Sequence, residues 1–409
     1  MNALLKNGVI LFFFLFAPVI APTHDLETMF NDAVNLYMRG KVEESIAAYK
    51  NLLKHHPNCL TAYYNLGFIL RKAGYVRQAI PKLKLVTMLD AEFTKAHISL
   101  GQAYLTIGKY LEGWKELEWR LGRPPEPVQE LKHYLQKHGN LYAKVVLIRS
   151  EWGLGDTLQM IRYAKKFKEL DAIVVALVRT PLVNILSHCP YIDKVIGPNY
   201  RLPPFHFEVP TMSLPVVFET TLQTVPNEIP YLKADPQLVS TWKEKLGPHN
   251  KFRIGICWQG NHVHVNTKFM PLNRFMELAE FEEVQLYSLQ QQHGLEQLEG
   301  VPENQLIRFD QDFDKTHGSF MDTAAVMNHL DLVITIDTSI AHLAGGLGIP
   351  TWVVLPRLAD WRWMLERNDS PWYPNVHLFR QTKDGNWDDV IQHIKSGVKQ
   401  LLNQQSRRG

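Results

Sequence analysis

The chain has 409 residues, enough for two or three domains with sizeable cores, which excludes a small protein held together by disulfide bridges. Its hydrophobic fraction of 45% and charged fraction of 21% are ordinary for folded proteins, which excludes global disorder and fibrous architectures. The net charge of +3 offers no concentrated basic surface, so nucleic acid is not expected as a partner.

The chain begins with an apolar run that is typical of an export signal. Lys6 precedes the apolar residues 9–20, and small residues follow at the spacing of a cleavage site. The run is shorter than the roughly 20 residues of a membrane-spanning helix, although a longer count would allow an anchor. We expect residues 1–24 to be a signal peptide or membrane anchor that exports the protein or attaches it to a membrane. A true start at Met29, or a segment that only tethers, would leave the protein cytoplasmic.

Residues 26–126 repeat with a period of 34 residues, which is the period of tetratricopeptide (TPR) repeats. Three copies align without gaps, with small residues in register at Ala33, Gly67, Gly101 and at Gly40, Gly74, Gly108. Small residues let paired helices approach each other closely. The pattern predicts three TPR repeats over residues 25–122, which would either bind a protein partner or serve as a packing scaffold.

A proline-rich stretch, Arg123-Pro124-Pro125-Glu126-Pro127, follows the repeats and cannot continue their last helix. Residues 123–142 are therefore predicted to be a linker. Beyond them, β-rich apolar runs alternate with helical stretches, which predicts parallel sheets covered on both faces. The predicted strands are 145–148, 173–178, 195–196, 254–257, 284–289, 332–336 and 352–355. A polar stretch between Asp235 and Phe252 divides this α/β region into two lobes, 143–247 and 248–404, with a cleft between them.

The potential metal ligands are sparse. Cys59, Cys189 and Cys257 are odd in number and widely spaced, which argues against a disulfide framework and a Cys-rich zinc site. The close pair His262 and His264 lacks a third ligand at a suitable spacing. No metal site is expected.

A glycine-rich turn, Gly153-Leu154-Gly155-Asp156-Thr157, follows the first predicted strand of the α/β region. Glycines allow close backbone approach, and parallel sheets bind ligands beyond the carboxyl ends of their strands. Asp156 would therefore lie at the mouth of the cleft, where a helix predicted from Thr157 to Leu170 begins. The alternative is that Asp156 only caps this helix.

The stretch from Asp331 to Pro350 is predicted to be a strand, a polar turn, a short helix and a Gly-Pro stop. Asp337 or Thr338 could cap the helix, whose free N–H groups and positive dipole end favour an anion such as a diphosphate. His342 lies one turn into the helix on the same face. The alternative is a capped helix with a buried histidine bonded to a neighbour.

Several motifs in a fixed order carry a family resemblance. They are residues 112–120 at the end of the repeats, 153–157 with 162–163, 212–215, 258–261, 337–348, 360–363 and 370–374. From about residue 145 to 403 the chain resembles the heptosyltransferase-like, family-nine-like glycosyltransferases, in the variety fused behind TPR repeats. The resemblance implies a GT-B fold, which consists of two Rossmann-like lobes with parallel sheets.

The resemblance also implies roles for particular residues. Asp156 matches the proposed general base, and the carboxyl-terminal lobe would bind the nucleotide-sugar donor. The implied donor-binding residues are Trp258, Lys268, Asp337, Thr338, Ser339, His342 and Gly345. Residues implied in acceptor binding or support are Trp152, Gly153, Gly155 and Arg362. Inverting glycosyl transfer requires groups of these types. A carboxylate takes the acceptor proton, and N–H groups or cations hold the departing diphosphate.

We therefore expect a metal-independent, inverting glycosyltransferase that needs no cofactor and acts on a nucleotide sugar and a saccharide or protein acceptor. The segment around Lys268 is shorter than in relatives and keeps one cation. Trp152 replaces a small or acidic residue of the family, where it would narrow the acceptor entrance or act as a hydrophobic plug. Two alternatives stay open: a non-catalytic TPR scaffold with a degenerate GT-B body, and a protein O-glycosyltransferase resembling the O-GlcNAc transferases.

Overall fold

A computed structural model describes residues 24–122, 126–260 and 269–407 of the chain. Residues 1–23 of the candidate signal or anchor, and Lys268, lie outside these ranges. Within them, no helix combines the length and the apolar character needed to cross a membrane. The chain divides into two compact units, Met1–Arg123 and Pro124–Gly409, and each is described by itself.

The first unit is a helical array with the predicted 34-residue repeat, and the TPR expectation is confirmed. Its helices are α1 (His24–Met38), α2 (Val42–His55), α3 (Leu60–Lys72), α4 (Val76–Leu89), α5 (Thr94–Thr106) and α6 (Tyr110–Leu117). They pack as consecutive pairs, α1 on α2, α3 on α4 and α5 on α6. The turn inside each pair contains a glycine with positive φ, at Gly40, Gly74 and Gly108. Left-handed backbone at these turns explains why glycine recurs every 34 residues.

The small residues inside the helices, Gly67 and Gly101, lie where paired helices pack closely. An added Cβ at Gly101 would approach the Gly113 carbonyl oxygen to 2.8 Å and the Leu117 amide nitrogen to 2.9 Å. Both atoms belong to the backbone of α6, so a side chain at Gly101 would force the helices apart. The 34-residue pattern in the sequence thus reflects close contact between paired helices.

Replacing Gly101 with valine should lower the thermal midpoint of the helical unit, because the added carbons meet the α6 backbone and overpacking costs about 1–3 kcal/mol. The matched control is Gln102→Val, since Gln102 is the next residue of α5 and is half-exposed. It also introduces a β-branched residue into α5, but without the clash. Thermal melts followed by far-UV circular dichroism compare the two variants. Equal midpoints would contradict the assigned helix contact.

The second unit begins with an α/β lobe, the first lobe. Its sheet contains β1 (Val145–Arg149), β2 (Ile173–Leu177), β3 (Lys194–Ile196) and β4 (Phe207–Pro210). The strand order is β3-β2-β1-β4 and all pairs are parallel. Its helices are α7 (Glu126–His138), α8 (Leu154–Met160), α9 (Ala164–Lys168), α10 (Val183–Ser187) and α11 (Leu214–Val217). The strand β4 was not predicted.

Residues 123–142, predicted as a linker, largely form a helix. The prolines exclude continuation of the preceding helix, but Pro127 lies in the first turn of α7, where the missing N–H has no intrahelical partner to lose. Val128 and Leu131 of α7 are buried, and the helix packs against β4 and α11. The segment is thus part of the α/β unit.

The second lobe has a six-stranded parallel sheet in the order β10-β9-β8-β5-β6-β7. The strands are β5 (Phe252–Cys257), β6 (Val284–Ser288), β7 (Leu306–Ile307), β8 (Leu332–Ile336), β9 (Thr351–Leu355) and β10 (Val376–Arg380). The helices are α12 (Pro236–Leu246), α13 (Leu272–Met276), α14 (Met321–Met327), α15 (Ser339–Leu347) and α16 (Asp388–Ser406). Two lobes with parallel sheets give the GT-B fold, as expected. The strands β7 and β10 were not predicted.

The polar stretch between the lobes contains α12, which the sequence assigned to the first lobe. This helix packs against α14, and the Trp242 indole N–H donates to the buried Asp322 carboxylate at 2.8 Å. By its contacts, α12 belongs with the second lobe.

Candidate functional site

The candidate site lies where α8 of the first lobe meets α15 of the second. Each helix begins just beyond the carboxyl end of a central strand, β1 and β8 respectively. This is the edge at which open parallel sheets bind ligands. An added Cβ at Gly155 would lie 2.7 Å from His342 Cδ2 and 3.4 Å from Ser339 Cα. The glycine therefore allows the two helix starts to touch.

Asp156 is the third residue of α8, and each of its carboxylate oxygens accepts a hydrogen bond. One carboxylate oxygen accepts the Gly153 backbone N–H at 2.6 Å, which satisfies the start of the helix. The other accepts a hydrogen bond from the Arg362 guanidinium of the second lobe. Asp156 therefore helps to cap the helix, as the alternative predicted, and it also bridges the two lobes. The helix begins at Leu154, three residues earlier than predicted.

Arg362 is the centre of a buried polar cluster. Its side chain is 7% exposed and donates to Asp156, to Asp360 at 2.6 Å and to the Gln159 side-chain oxygen at 2.5 Å. Burial alone would lower the pKa of Arg362, but the carboxylates of Asp156, Asp360 and Asp337 raise it above its ordinary value. One permanent cation therefore faces three carboxylates.

The start of α15 carries the predicted polar residues. Thr338 is the N-cap residue but makes no side-chain cap bond, and its hydroxyl lies 3.3 Å from that of Thr335. Asp337 is buried, and Ser339 is the first helical residue. The first N–H groups of a helix have no intrahelical acceptor and, with the helix dipole, attract an anion.

His342 is buried one turn into α15, and its Nδ1 lies 2.8 Å from the Tyr373 hydroxyl. Its ring stacks on Trp363 with centroids 5.6 Å apart. The alternative of a buried histidine bonded to a neighbour matches this geometry. The Gly155 contact places the opposite ring edge beside the first lobe.

Two of the implied donor-binding residues, Trp258 and Gly345, are packed inside the second lobe. Trp258 is fully buried in the second-lobe core, and its indole N–H donates to the Gly294 carbonyl at 3.1 Å. Gly345 lies against the Tyr373 ring, which an added Cβ would meet at 2.5 Å. Both serve packing, so their contribution to a site is to its shape. Lys268 lies outside the described residues.

Contacts with neighbouring residues hold the glycine-rich turn that precedes α8. Trp152 has φ of +58°, a left-handed conformation that is unusual for a bulky residue, and its carbonyl accepts a bond from Arg179. Glu151 accepts the Met212 backbone N–H at 3.1 Å. These contacts fix the turn that presents Asp156. Within the described ranges no group of three His, Cys, Asp or Glu residues is arranged to hold a metal ion.

The sequence did not single out Gln159 or Tyr373 as site residues. Gln159 lies one turn after Asp156 on the same face of α8, a spacing that could have suggested it. Its side-chain nitrogen is buried without a hydrogen-bond partner among the described residues. Tyr373 lies in the motif at 370–374, but nothing in the sequence indicates its contact with His342.

No protein-family model matches this chain. The chain is 22% identical over 405 residues to protein FlbA of Caulobacter vibrioides, a match that covers 88% of this chain and 65% of that protein. The chain thus spans just under two thirds of the length of this curated relative.

Two solved structures are similar to the α/β unit, at low sequence identity. A glycosyl transferase family 9 protein from Veillonella parvula matches with TM-score 0.48 and 13% identity, over 64% of this chain and 99% of that one. The ADP-heptose heptosyltransferase II of E. coli matches with TM-score 0.45 and 14% identity, over the same shares.

Proposed function

We propose that the chain is an inverting, metal-independent glycosyltransferase that moves a sugar from a nucleotide-diphosphate donor to a saccharide or protein acceptor. One observation carries the proposal: Gly155, the neighbour of Asp156, touches the start of α15 across the lobe boundary, and Asp156 itself is bonded to Arg362 of the second lobe. A base and an anion site on opposite lobes are the two parts that inverting transfer requires. The motif resemblance adds the nucleotide sugar as the donor class.

On the donor side, the N–H groups at the start of α15 would hold the diphosphate, together with Lys268. Both carry positive charge or positive dipole ends, so they would stabilise the charge that develops on the leaving diphosphate. A divalent cation has the same role in other transferases, and here these groups would supply it. Thr338 and Ser339 would contribute hydroxyl donors at the same place.

On the acceptor side, Asp156 would take the proton of the attacking hydroxyl. The acceptor oxygen bonds to the anomeric carbon of the sugar, the bond from that carbon to the diphosphate breaks, and the diphosphate leaves with the electron pair. Each oxygen of an ionised carboxylate can accept more than one hydrogen bond, so the bonds from Gly153 and Arg362 leave capacity for the acceptor hydroxyl. The helical unit would bind a protein acceptor or partner.

A second function, binding without transfer, is favoured by the charges around Arg362. Three carboxylates surround this one cation, and Asp156 accepts a hydrogen bond from it, so the carboxylate is already engaged in a contact between the lobes. This function and the first both predict nucleotide binding. They differ in whether nucleoside diphosphate is released from a bound sugar nucleotide.

A thermal-shift screen tests the proposal. The full chain is mixed with ADP, GDP, UDP and their common hexose and heptose derivatives. A ligand at 100 times its dissociation constant stabilises the folded state by about 2.7 kcal/mol, a readily detected shift. Release of nucleoside diphosphate from a stabilising sugar nucleotide supports transfer, and binding without release supports the second function. Stabilisation by no member of the panel contradicts both.

Replacing Lys268 with alanine should weaken binding of the nucleoside diphosphate found in the screen by roughly tenfold to a hundredfold. Charge-assisted hydrogen bonds contribute about 1.5–3 kcal/mol, which corresponds to that range. Lys251→Ala is the control, because Lys251 is an exposed lysine of the same lobe. Isothermal titration calorimetry measures both variants. Equal affinities would remove Lys268 from the proposed site.

A further inference from the structure

The second arginine at the lobe boundary, Arg162, is buried without a carboxylate partner. It follows α8, is 3% exposed, and forms no ion pair with any Asp or Glu of the described ranges. Its guanidinium donates to the Gln159 carbonyl at 2.7 Å, the Pro226 carbonyl at 2.9 Å, the Trp372 carbonyl and the Tyr231 hydroxyl at 3.1 Å. The acceptors come from both lobes and from the segment between them.

Aromatic rings complete the surroundings of this cation. The guanidinium carbon lies 4.5 Å from the ring centroid of Tyr231, 4.4 Å from that of Tyr373 and 5.5 Å from that of Trp372. Burial alone would lower the pKa of Arg162, but Tyr231 and Tyr373 raise it, so the charge is kept. A buried charge costs several kcal/mol to desolvate, and an apolar side chain would fill the same space more cheaply. Packing alone therefore does not explain the arginine.

Arg162 holds Tyr373 from two sides. It stacks on the Tyr373 ring and bonds the carbonyl of the preceding residue, Trp372. Tyr373 in turn contacts His342 at 2.8 Å. The cation of the first lobe is thus connected to a histidine on α15 of the second lobe through a single side chain.

The hydroxyl protons of Tyr231 and Tyr373 have few acceptors among the described residues around them. Tyr231 donates to the Leu158 carbonyl at 2.7 Å and accepts from Arg162, so its one proton is used. Tyr373 lies 3.5 Å from the Tyr231 hydroxyl and 2.8 Å from His342 Nδ1, so its proton goes to the histidine. Burial, and then Tyr231, raise the pKa of Tyr373 well above its ordinary value against the opposing effect of Arg162, so the phenol stays protonated.

We propose that Arg162 is a positioning residue: it fixes Tyr373, which donates to His342 Nδ1 and thereby places the ring proton of His342 on Nε2. This Nε2 edge faces Gly155 and the start of α15, where the diphosphate of the proposed function would bind. A diphosphate bound at the start of α15 would then meet an N–H, rather than an unprotonated nitrogen, at this edge of the ring. The inference rests on the proposed function only for the identity of that ligand.

The direction of the Tyr373–His342 bond is measurable without any ligand. The full chain is labelled with ¹⁵N-histidine, and His342→Gln identifies the signals of His342 among the 17 histidines. We expect Nδ1 to be unprotonated at neutral pH, with its ¹⁵N shift displaced by an accepted hydrogen bond. Tyr373→Phe should abolish that displacement, and Arg162→Lys, which loses the forked donor, should reduce it. A protonated Nδ1 in the natural protein would overturn the proposal.

Tyr163→Phe is the matched control, because Tyr163 is a buried tyrosine next to Arg162 whose hydroxyl bonds Thr220 at 2.7 Å. It should leave the His342 shifts unchanged. Should Arg162→Lys fail to fold, Tyr373→Phe still tests whether Tyr373 forms the bond to His342, and the Nδ1 signal of the natural protein tests its direction. Natural shifts in a folded Arg162→Lys variant would overturn the part assigned to the arginine.

Binding of the nucleoside diphosphate found in the screen provides a second readout. Loss of one net hydrogen bond of about 1 kcal/mol predicts that Tyr373→Phe weakens binding about fivefold. Because both residues act through His342, the double variant with Arg162→Lys should bind no more weakly than the weaker single variant. Additive losses would contradict a shared path. If no nucleotide binds the natural protein, the proposed function fails, while the histidine shifts still decide this inference.

Discussion

The Asp156→Asn variant is expected to lose sugar transfer by a factor of about 10² to 10⁴ while its affinity for the nucleotide donor is nearly unchanged. General base catalysis contributes a factor of this size, and asparagine cannot take the acceptor proton. Asparagine keeps the size of the side chain and accepts the Gly153 N–H as well as aspartate does. A residue that only caps α8 would therefore tolerate the change.

The control for this variant is Asp235→Asn. Asp235 is the N-cap residue of α12, where its carboxylate accepts the N–H groups of Gln237 and Leu238. It shares the helix-start role of Asp156 but lies outside the proposed site. Steady-state kinetics with the donor and acceptor compare the two variants. Turnover above about one tenth of the natural value in Asp156→Asn would exclude the base role.

The Arg362→Met variant is expected to lower the stability of the α/β unit by about 3–5 kcal/mol, which corresponds to a thermal midpoint lower by roughly 10 °C. Methionine fills much of the volume but leaves the carboxylates of Asp156 and Asp360 at the lobe boundary without their cation. Removing one partner of a buried charged group costs more than the group contributes when complete.

Arg357→Met is the matched control, because the Arg357–Asp384 pair is exposed on the same lobe and such pairs contribute about 0–1 kcal/mol. A double-mutant cycle adds a sharper test. Combined with Asp156→Asn, the loss caused by Arg362→Met should shrink, since one stranded charge has been removed. Strictly additive losses in stability would show that the two side chains are not coupled.

The parts of this fold that the sequence predicts well are those set by residues close together in the chain. The 34-residue period and the glycines at the helix turns depend on neighbouring residues, so they can be read from the chain. The strand β8, predicted at 332–336, is rich in β-branched residues and forms over the same residues. By contrast, β4 (Phe207–Pro210) contains a glutamate and a proline, so its composition does not indicate a strand. It forms because it pairs with β1.

In the candidate site, too, some features follow from local sequence patterns and others depend on residues far apart in the chain. Asp156 and the start of α15 follow glycine-rich turns after apolar strands, a local pattern. The contacts that orient them come from residues far apart in the chain, such as Arg162 and Trp372, which are separated by 210 positions. The helix α7 was missed because a proline in a first helical turn has the same sequence pattern as a linker. Packing against β4 decides between the two.

The contact of Gly155 with His342 has a kinetic consequence. The start of α8 packs directly against α15 at Gly155, so in the proposed function a nucleotide would reach the start of α15 more readily while the lobes are apart. Such a separation would break the bonds from Arg362 to Asp156 and Gln159. We therefore expect nucleotide association and dissociation at the proposed site to slow as solvent viscosity rises.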